Sequence, residues 1–191
     1  MPTPIAAAKP VRPARPARAR APELPAMERL DRTHRKMLEV LAGLGQLIDH
    51  LEVEGVDATA RQRAAAACRF FAGQARDHHA NEETLVFPAL VRGGDPLLIQ
   101  QVLRLQQDHG WLEEDWLALE PQLHAVAQGY SWYELDGLRH AVGVFTALYQ
   151  EHIALEESMV YPAARQRLAE EAASLAQRMA AKGSGAAADA A

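Results

Sequence analysis

Four of the eight histidines in the chain fall where a helix would bury them, and two of these are followed one turn later by a glutamate. His78 precedes Glu82 and His152 precedes Glu156, each by four residues. Side chains at i and i+4 of a helix lie about 40° apart round the axis and roughly 6 Å from one another. The imidazole of such a pair can bind one metal ion while its carboxylate bridges to a second. Two pairs facing each other, flanked by His34 and His109, make a box for two ions. Mixed imidazole and carboxylate donors in octahedral geometry suit iron, with manganese or zinc as alternatives. A lone histidine on an apolar helix face reads as an ordinary core residue. Four of them with two glutamates do not, because each unpaired buried polar group costs about 1–3 kcal/mol and a dinuclear centre in a bundle core supplies the missing partner.

The elements that must position these residues are read from spacing. Apolar residues recur every three or four positions at Met27, Leu30, His34, Met37, Leu41, Leu44, Ile48 and Leu51, a helix seam with a histidine in it. A second seam opens at Asp57, a predicted N-cap, and runs through Ala64, Cys68, Phe71, Ala75, His78, Glu82 and Leu85 to Pro88. A stop at Arg92-Gly93-Gly94 is followed by Asp95 as cap and Pro96 at the first helical position. The third seam is Leu98, Val102, Leu105, His109, Leu112, Trp116 and Leu119, with Pro121 expected to kink or end it. Ser131 and Glu134 form an expected capping box. The fourth seam is Val142, Phe145, Tyr149, His152, Glu156 and Met159, up to Pro162, and a short amphipathic helix follows over about 163–180. No stretch alternates with period two. The expectation is an all-α protein, an antiparallel up-down-up-down four-helix bundle over 26–165. A disordered basic Pro/Arg/Ala-rich tail is expected over 1–25, and a short C-terminal helix with a flexible tail, linker-like from about Lys182, over 166–191.

The bundle also repeats itself. His78-His79-Ala80-Asn81-Glu82-Glu83-Thr84-Leu85-Val86-Phe87-Pro88 matches His152-Ile153-Ala154-Leu155-Glu156-Glu157-Ser158-Met159-Val160-Tyr161-Pro162 at an offset of 74 residues, and His34 and His109 differ by 75. The chain is two copies of a helical hairpin.

Composition bounds the rest. The chain has 191 residues, 49% hydrophobic and 6% aromatic, which is one domain's worth. Its formal net charge is -5, but Lys9, Arg12, Arg15, Arg18 and Arg20 give the first 22 residues +5 and leave the remainder at -10. No nucleic-acid binding is expected of such a body. The single cysteine, Cys68, excludes a disulfide framework and a four-cysteine metal site within one chain. No apolar run approaches the roughly 18 residues of a membrane span, so the expectation is a cytoplasmic protein without membrane contact, a monomer or small homo-oligomer.

Over about 27–162 these motifs resemble the hemerythrin-like, or HHE cation-binding, domains. The resemblance implies a non-heme di-iron centre, two iron ions joined by an oxo or hydroxo bridge, with His34, His78, His109 and His152 as the one-histidine-per-helix set and Glu82 and Glu156 as bridging carboxylates. His79 fills a place where some members supply a further ligand to the second iron. The chain departs from the animal hemerythrins in lacking a second histidine one turn after His109, where Glu113 stands. Their last carboxylate falls five positions after the fourth-helix histidine, which would select Glu157 over Glu156. Glu113 and Glu157 therefore stand as alternative ligands. Glu83 and Glu113 are open to two further readings, as groups orienting ligand imidazoles or as a solvated face, and Glu114 and Asp115 read as solvated. His50, His124 and His140 read as lying away from the centre, Cys68 as a small core residue, and Tyr149 and Met159 as packing, with Tyr149 able to hydrogen-bond a bound species.

The resemblance implies binding of O₂ or a related small oxidant, NO or peroxide, for carriage, sensing or scavenging. The alternatives are a di-iron enzyme, peroxidase-like or NO-reducing, an iron donor in the repair of damaged iron centres, or an interaction protein stapled by its metal. With two bridging carboxylates and one bridging oxygen, four histidines leave two coordination positions open and a fifth, His79, leaves one.

Overall fold

The computed structural model describes residues 24–188 except Gly93 and Gly94. Four helices run antiparallel: α1 (Leu24–Val53), α2 (residues 58–91), α3 (Pro96–Gln128) and α4 (residues 135–188). Each packs on its neighbours in sequence, and α1 closes the square against α4. Among the described residues there is no strand. The basic tail lies outside the described residues, except that Leu24 and Pro25 already belong to α1.

The ends form where short polar residues satisfy the orphan amides of a helix start. The Asp57 carboxylate accepts from the Ala60 amide at 2.8 Å, and Asp95 accepts from the Leu97 amide at 2.7 Å ahead of Pro96. Gly129, at φ 90°, ends α3 in the left-handed region that a side chain would disfavour. The capping box at Ser131 and Glu134 is not made: α4 begins at Leu135, so Glu134 itself occupies the cap position, extended and without a side-chain cap bond. Nor does Pro121 end α3. The helix runs through it to Gln128, held on either side of the lost hydrogen bond by buried Leu119, Leu123 and Val126. The C-terminal helix is not separate either; α4 continues through Glu156–Val160 to Ala188, past the linker expected from Lys182.

Among the described residues three stretches break the α spacing, Phe70–Ala75 and two at equivalent places in the repeat. Residues Glu82–Val86 and Glu156–Val160 are π-helical, and the Phe87 and Tyr161 amides bond the Glu82 and Glu156 carbonyls five residues back. Pro88 and Pro162 follow immediately. Proline has no amide to donate and its ring crowds the carbonyl four residues before it, and a wider turn relieves both constraints. The extra residue shifts the seam, so Val86 and Val160 are fully buried where Leu85 and Met159 were expected. Leu85 is 37% exposed and Met159 half-buried. An i→i+5 turn also brings residue i+5 back under residue i, which sets Phe87 below Glu82 and Tyr161 below Glu156.

The core is in two parts. One apolar cluster holds Leu44, Phe71, Trp116, Leu119 and Phe145, and the other Met27, Phe87, Leu105, Val160 and Tyr161. His34 sits on α1 between Leu30 of the second cluster and Met37 of the first; His109 sits on α3 between Leu105 and Leu112. A polar layer thus crosses the bundle between two hydrophobic ones. Cys68 packs beside the first cluster, and burial, with the Glu120 charge, pushes its thiol up to about 11. No helix among the described residues is long and apolar enough to cross a membrane.

Candidate metal centre

His34, His78, Glu82, His109, His152 and Glu156 are all buried in the polar layer, and His79 borders it. Their donor atoms form two groups, each within 4.8 Å: His34, His78, Glu82 and Glu156 in one; His79, Glu82, His109 and His152 in the other. The two glutamates divide their oxygens between the groups. Glu82 Oε1 lies 3.3 Å from His78 Nε2 and its Oε2 3.5 Å from His109 Nε2. Glu156 Oε2 lies 3.1 Å from His34 Nε2 and its Oε1 3.3 Å from His152 Nε2. The duplicated sequence thus gives a duplicated arrangement in which each carboxylate spans both halves.

These distances suit donors converging on ions. Ligands about 2.1 Å from the centre of an octahedron are about 3.0 Å apart along each edge. The facing nitrogens of His34 and His78 are 3.0 Å apart. Moreover, Glu82 Oε2, His79 Nε2, His109 Nε2, His152 Nε2 and both oxygens of Glu156 are buried with no hydrogen bond. Buried polar atoms are seldom left so. A cation in each group would satisfy all six, so the residues fit a dinuclear metal centre.

The imidazoles are held from behind. His34 Nδ1 donates to Glu157 Oε1 at 3.0 Å, and His109 Nδ1 donates to Glu83 Oε1 at 2.8 Å. A carboxylate behind a histidine fixes the tautomer that leaves Nε2 free to bind metal. Asp108, buried beside His109 in sequence, has Oδ2 3.8 Å from His152 Nδ1, too long for a hydrogen bond but close enough to orient the ring by charge. His79 stacks on His109 with centroids 4.1 Å apart. Burial, and then the His109 charge, keep the His79 imidazole neutral, its pKa well below the ordinary value. Burial pushes both glutamates up, but at Glu82 the His78 charge and the contacts with His109 and His78 outweigh it and hold the carboxyl ionised. At Glu156 burial and the Glu82 charge win, and the group is raised well above the ordinary range.

Of the sequence candidates, Glu113 and Glu157 are not brought into either group. Glu113 forms a bidentate ion pair with Arg76 on the surface, one arm at 3.0 Å. Glu157 points away from the buried face that Glu156 occupies and instead orients His34. Glu114 is exposed and Asp115 half-buried, His124 and His140 are exposed, and His50 pairs with Asp57 at 2.9 Å. Sequence reasoning missed Asp108 and Tyr161. The Tyr161 hydroxyl donates to Glu82 Oε1 and lies 3.1 Å from His34 Nε2, its ring stacked on His34 at 5.0 Å. Only the tyrosine-for-phenylalanine difference between the two repeats could have signalled it.

Glu157→Gln removes the charge behind His34 and should weaken metal binding about 10–100-fold, measured by competition with a chromogenic chelator, whereas Glu113→Gln should leave it unchanged. Equal affinities in the parent and Glu157→Gln would remove Glu157 from that role.

The sequence profile of the hemerythrin HHE cation-binding domain matches residues 26–164. A protein of Haemophilus influenzae described as uncharacterized is 31% identical over 126 residues, which cover 66% of this chain and 71% of that one. No solved structure matches the chain. With the profile spanning most of its length and a His/Glu cluster able to hold metal in the core, the chain belongs to the hemerythrin HHE cation-binding domain family.

Proposed function

We infer that this protein holds two iron ions and binds O₂ or a related small oxidant, NO or peroxide, for carriage, sensing or scavenging. The observation that carries the reading is the division of Glu82 and Glu156 between two donor groups of unequal histidine content. Imidazole and carboxylate donors together suit iron, which when bound would supply the electrons that a small oxidant accepts. His79, His109 and His152 give one ion three imidazoles; His34 and His78 give the other two, so the second ion is the one with room for an external ligand. A cavity of about 320 Å³ between α1 and α2 is lined by His78 together with Thr33, Gln74, Asp77 and Asn81. It gives a small molecule a way to the His34 and His78 side of the layer. Glu157 and Glu83 hold His34 and His109 in register, and the apolar clusters above and below exclude bulk water.

Anaerobic loading with Fe(II), followed by exposure to O₂ under an optical spectrometer, tests the reading. The expected result is a visible band that forms with O₂ and disappears on its removal. Irreversible oxidation, with turnover of added peroxide or NO, would replace the binding role with an enzymatic one.

A further inference from the structure

Tyr161 and Phe87 occupy equivalent places in the two hairpins and differ by one hydroxyl. Phe87 stacks on His109 at 5.7 Å and 19°, as Tyr161 stacks on His34 at 5.0 Å and 7°. Position 79 breaks the repeat in the opposite sense, being histidine where its match, residue 153, is isoleucine. Each half therefore carries one polar group that its counterpart lacks. His79 adds a donor to the group of His109 and His152, and the Tyr161 hydroxyl faces the group of His34 and His78.

We propose that Tyr161 is the fifth protein ligand of the metal ion held by His34, His78, Glu82 and Glu156. The proposal rests on the two-ion reading above. The phenolic oxygen is 3.1 Å from His34 Nε2 and in close hydrogen-bonding contact with Glu82 Oε1. His34 Nε2 is in turn 3.0 Å from His78 Nε2 and 3.1 Å from Glu156 Oε2, and His78 Nε2 is 3.3 Å from Glu82 Oε1. The four spacings given in ångströms are each near the edge of an octahedron of first-row metal ligands, about 3.0 Å. The four histidine and glutamate donors lie within 4.8 Å of one another and the phenolic oxygen contacts two of them, carried there by the π turn at Glu156–Val160.

Without metal the hydroxyl donates to Glu82. On metal uptake the O–H bond breaks, the proton leaves to solvent, and an oxygen lone pair binds the cation with no change of oxidation state; a bound cation favours such deprotonation of its ligands. Each ion then has five protein donors, and with the bridging oxygen both octahedra are complete, so a small molecule arriving by the cavity beside His78 must displace the phenolate.

The test uses the full chain, loaded anaerobically with Fe(II), oxidised with ferricyanide, desalted, and read by iron count, visible absorption and resonance Raman. The proposal expects two irons per chain and a phenolate-to-Fe(III) charge-transfer band with tyrosinate ring vibrations. The band should vanish in Tyr161→Phe with two irons retained. It should persist in Tyr149→Phe, which alters the buried tyrosine beside His79. Should Tyr161→Phe fail to fold, the band in the parent and its persistence in Tyr149→Phe decide the matter. Two irons without tyrosinate vibrations, a band that survives Tyr161→Phe, or one lost in Tyr149→Phe would overturn Tyr161 as a ligand and leave the two-ion reading standing. Fewer than two irons in the parent would overturn both.

Discussion

Glu82→Gln should lower tightly bound metal from two ions per chain to fewer than one. The substitution keeps the volume of the side chain and replaces an anionic oxygen pair with an amide whose nitrogen cannot ligate. Because Glu82 supplies an oxygen to both donor groups, neither is left intact by its loss. His79→Leu removes a donor from one group alone and should leave one ion bound. Metal analysis after desalting separates the three outcomes, and retention of two ions by Glu82→Gln would show that the carboxylate does not span the groups.

Removing the metal should lower the melting temperature by roughly 10–20 °C. A ligand that binds only the folded chain stabilises it by about 2.7 kcal/mol per site at a free concentration 100 times Kd. Two such sites contribute about 5 kcal/mol, and a chain of this size shifts by about 2–4 °C for each kcal/mol. The sign follows from the buried donors: without a cation, Glu82 Oε2, both Glu156 oxygens and the Nε2 atoms of His79, His109 and His152 lie in the core unpartnered, which favours the unfolded chain where water reaches them. Calorimetry before and after chelation measures the shift, and a melting temperature indifferent to complete metal removal would deny the layer its partner.

Helical spacing alone was enough to predict the bundle and to bring six of the candidate donors to one layer, because i, i+3 and i+4 positions share a helix face whatever else the chain does. His79 was reachable only through the resemblance, since a residue next to His78 points about 100° from it on a regular helix. The same reliance on regular spacing misplaced Leu85 and Met159 and concealed Tyr161. Pro88 and Pro162 favour turns of a different period just ahead of them, over Glu82–Val86 and Glu156–Val160, and residues within and at the end of those turns are displaced by one position. Asp108 was hidden for a different reason: an aspartate on a helix reads as solvated unless the neighbouring helix is known to bring a histidine against it. Of the kink or end expected at Pro121, the end does not occur, because tertiary packing on both sides of α3 outweighs the hydrogen bond that proline removes.

A dinuclear centre joined through Glu82 and Glu156 must hold its two metal ions close together. X-ray absorption at the iron edge on the Fe(II)-loaded full chain, paired with iron counting, tests it most directly. The expected result is two irons per chain and metal–metal scattering at a separation of about 3.5–4 Å, the range of paired-metal sites. One iron per chain, or two with no metal–metal scattering, would contradict it.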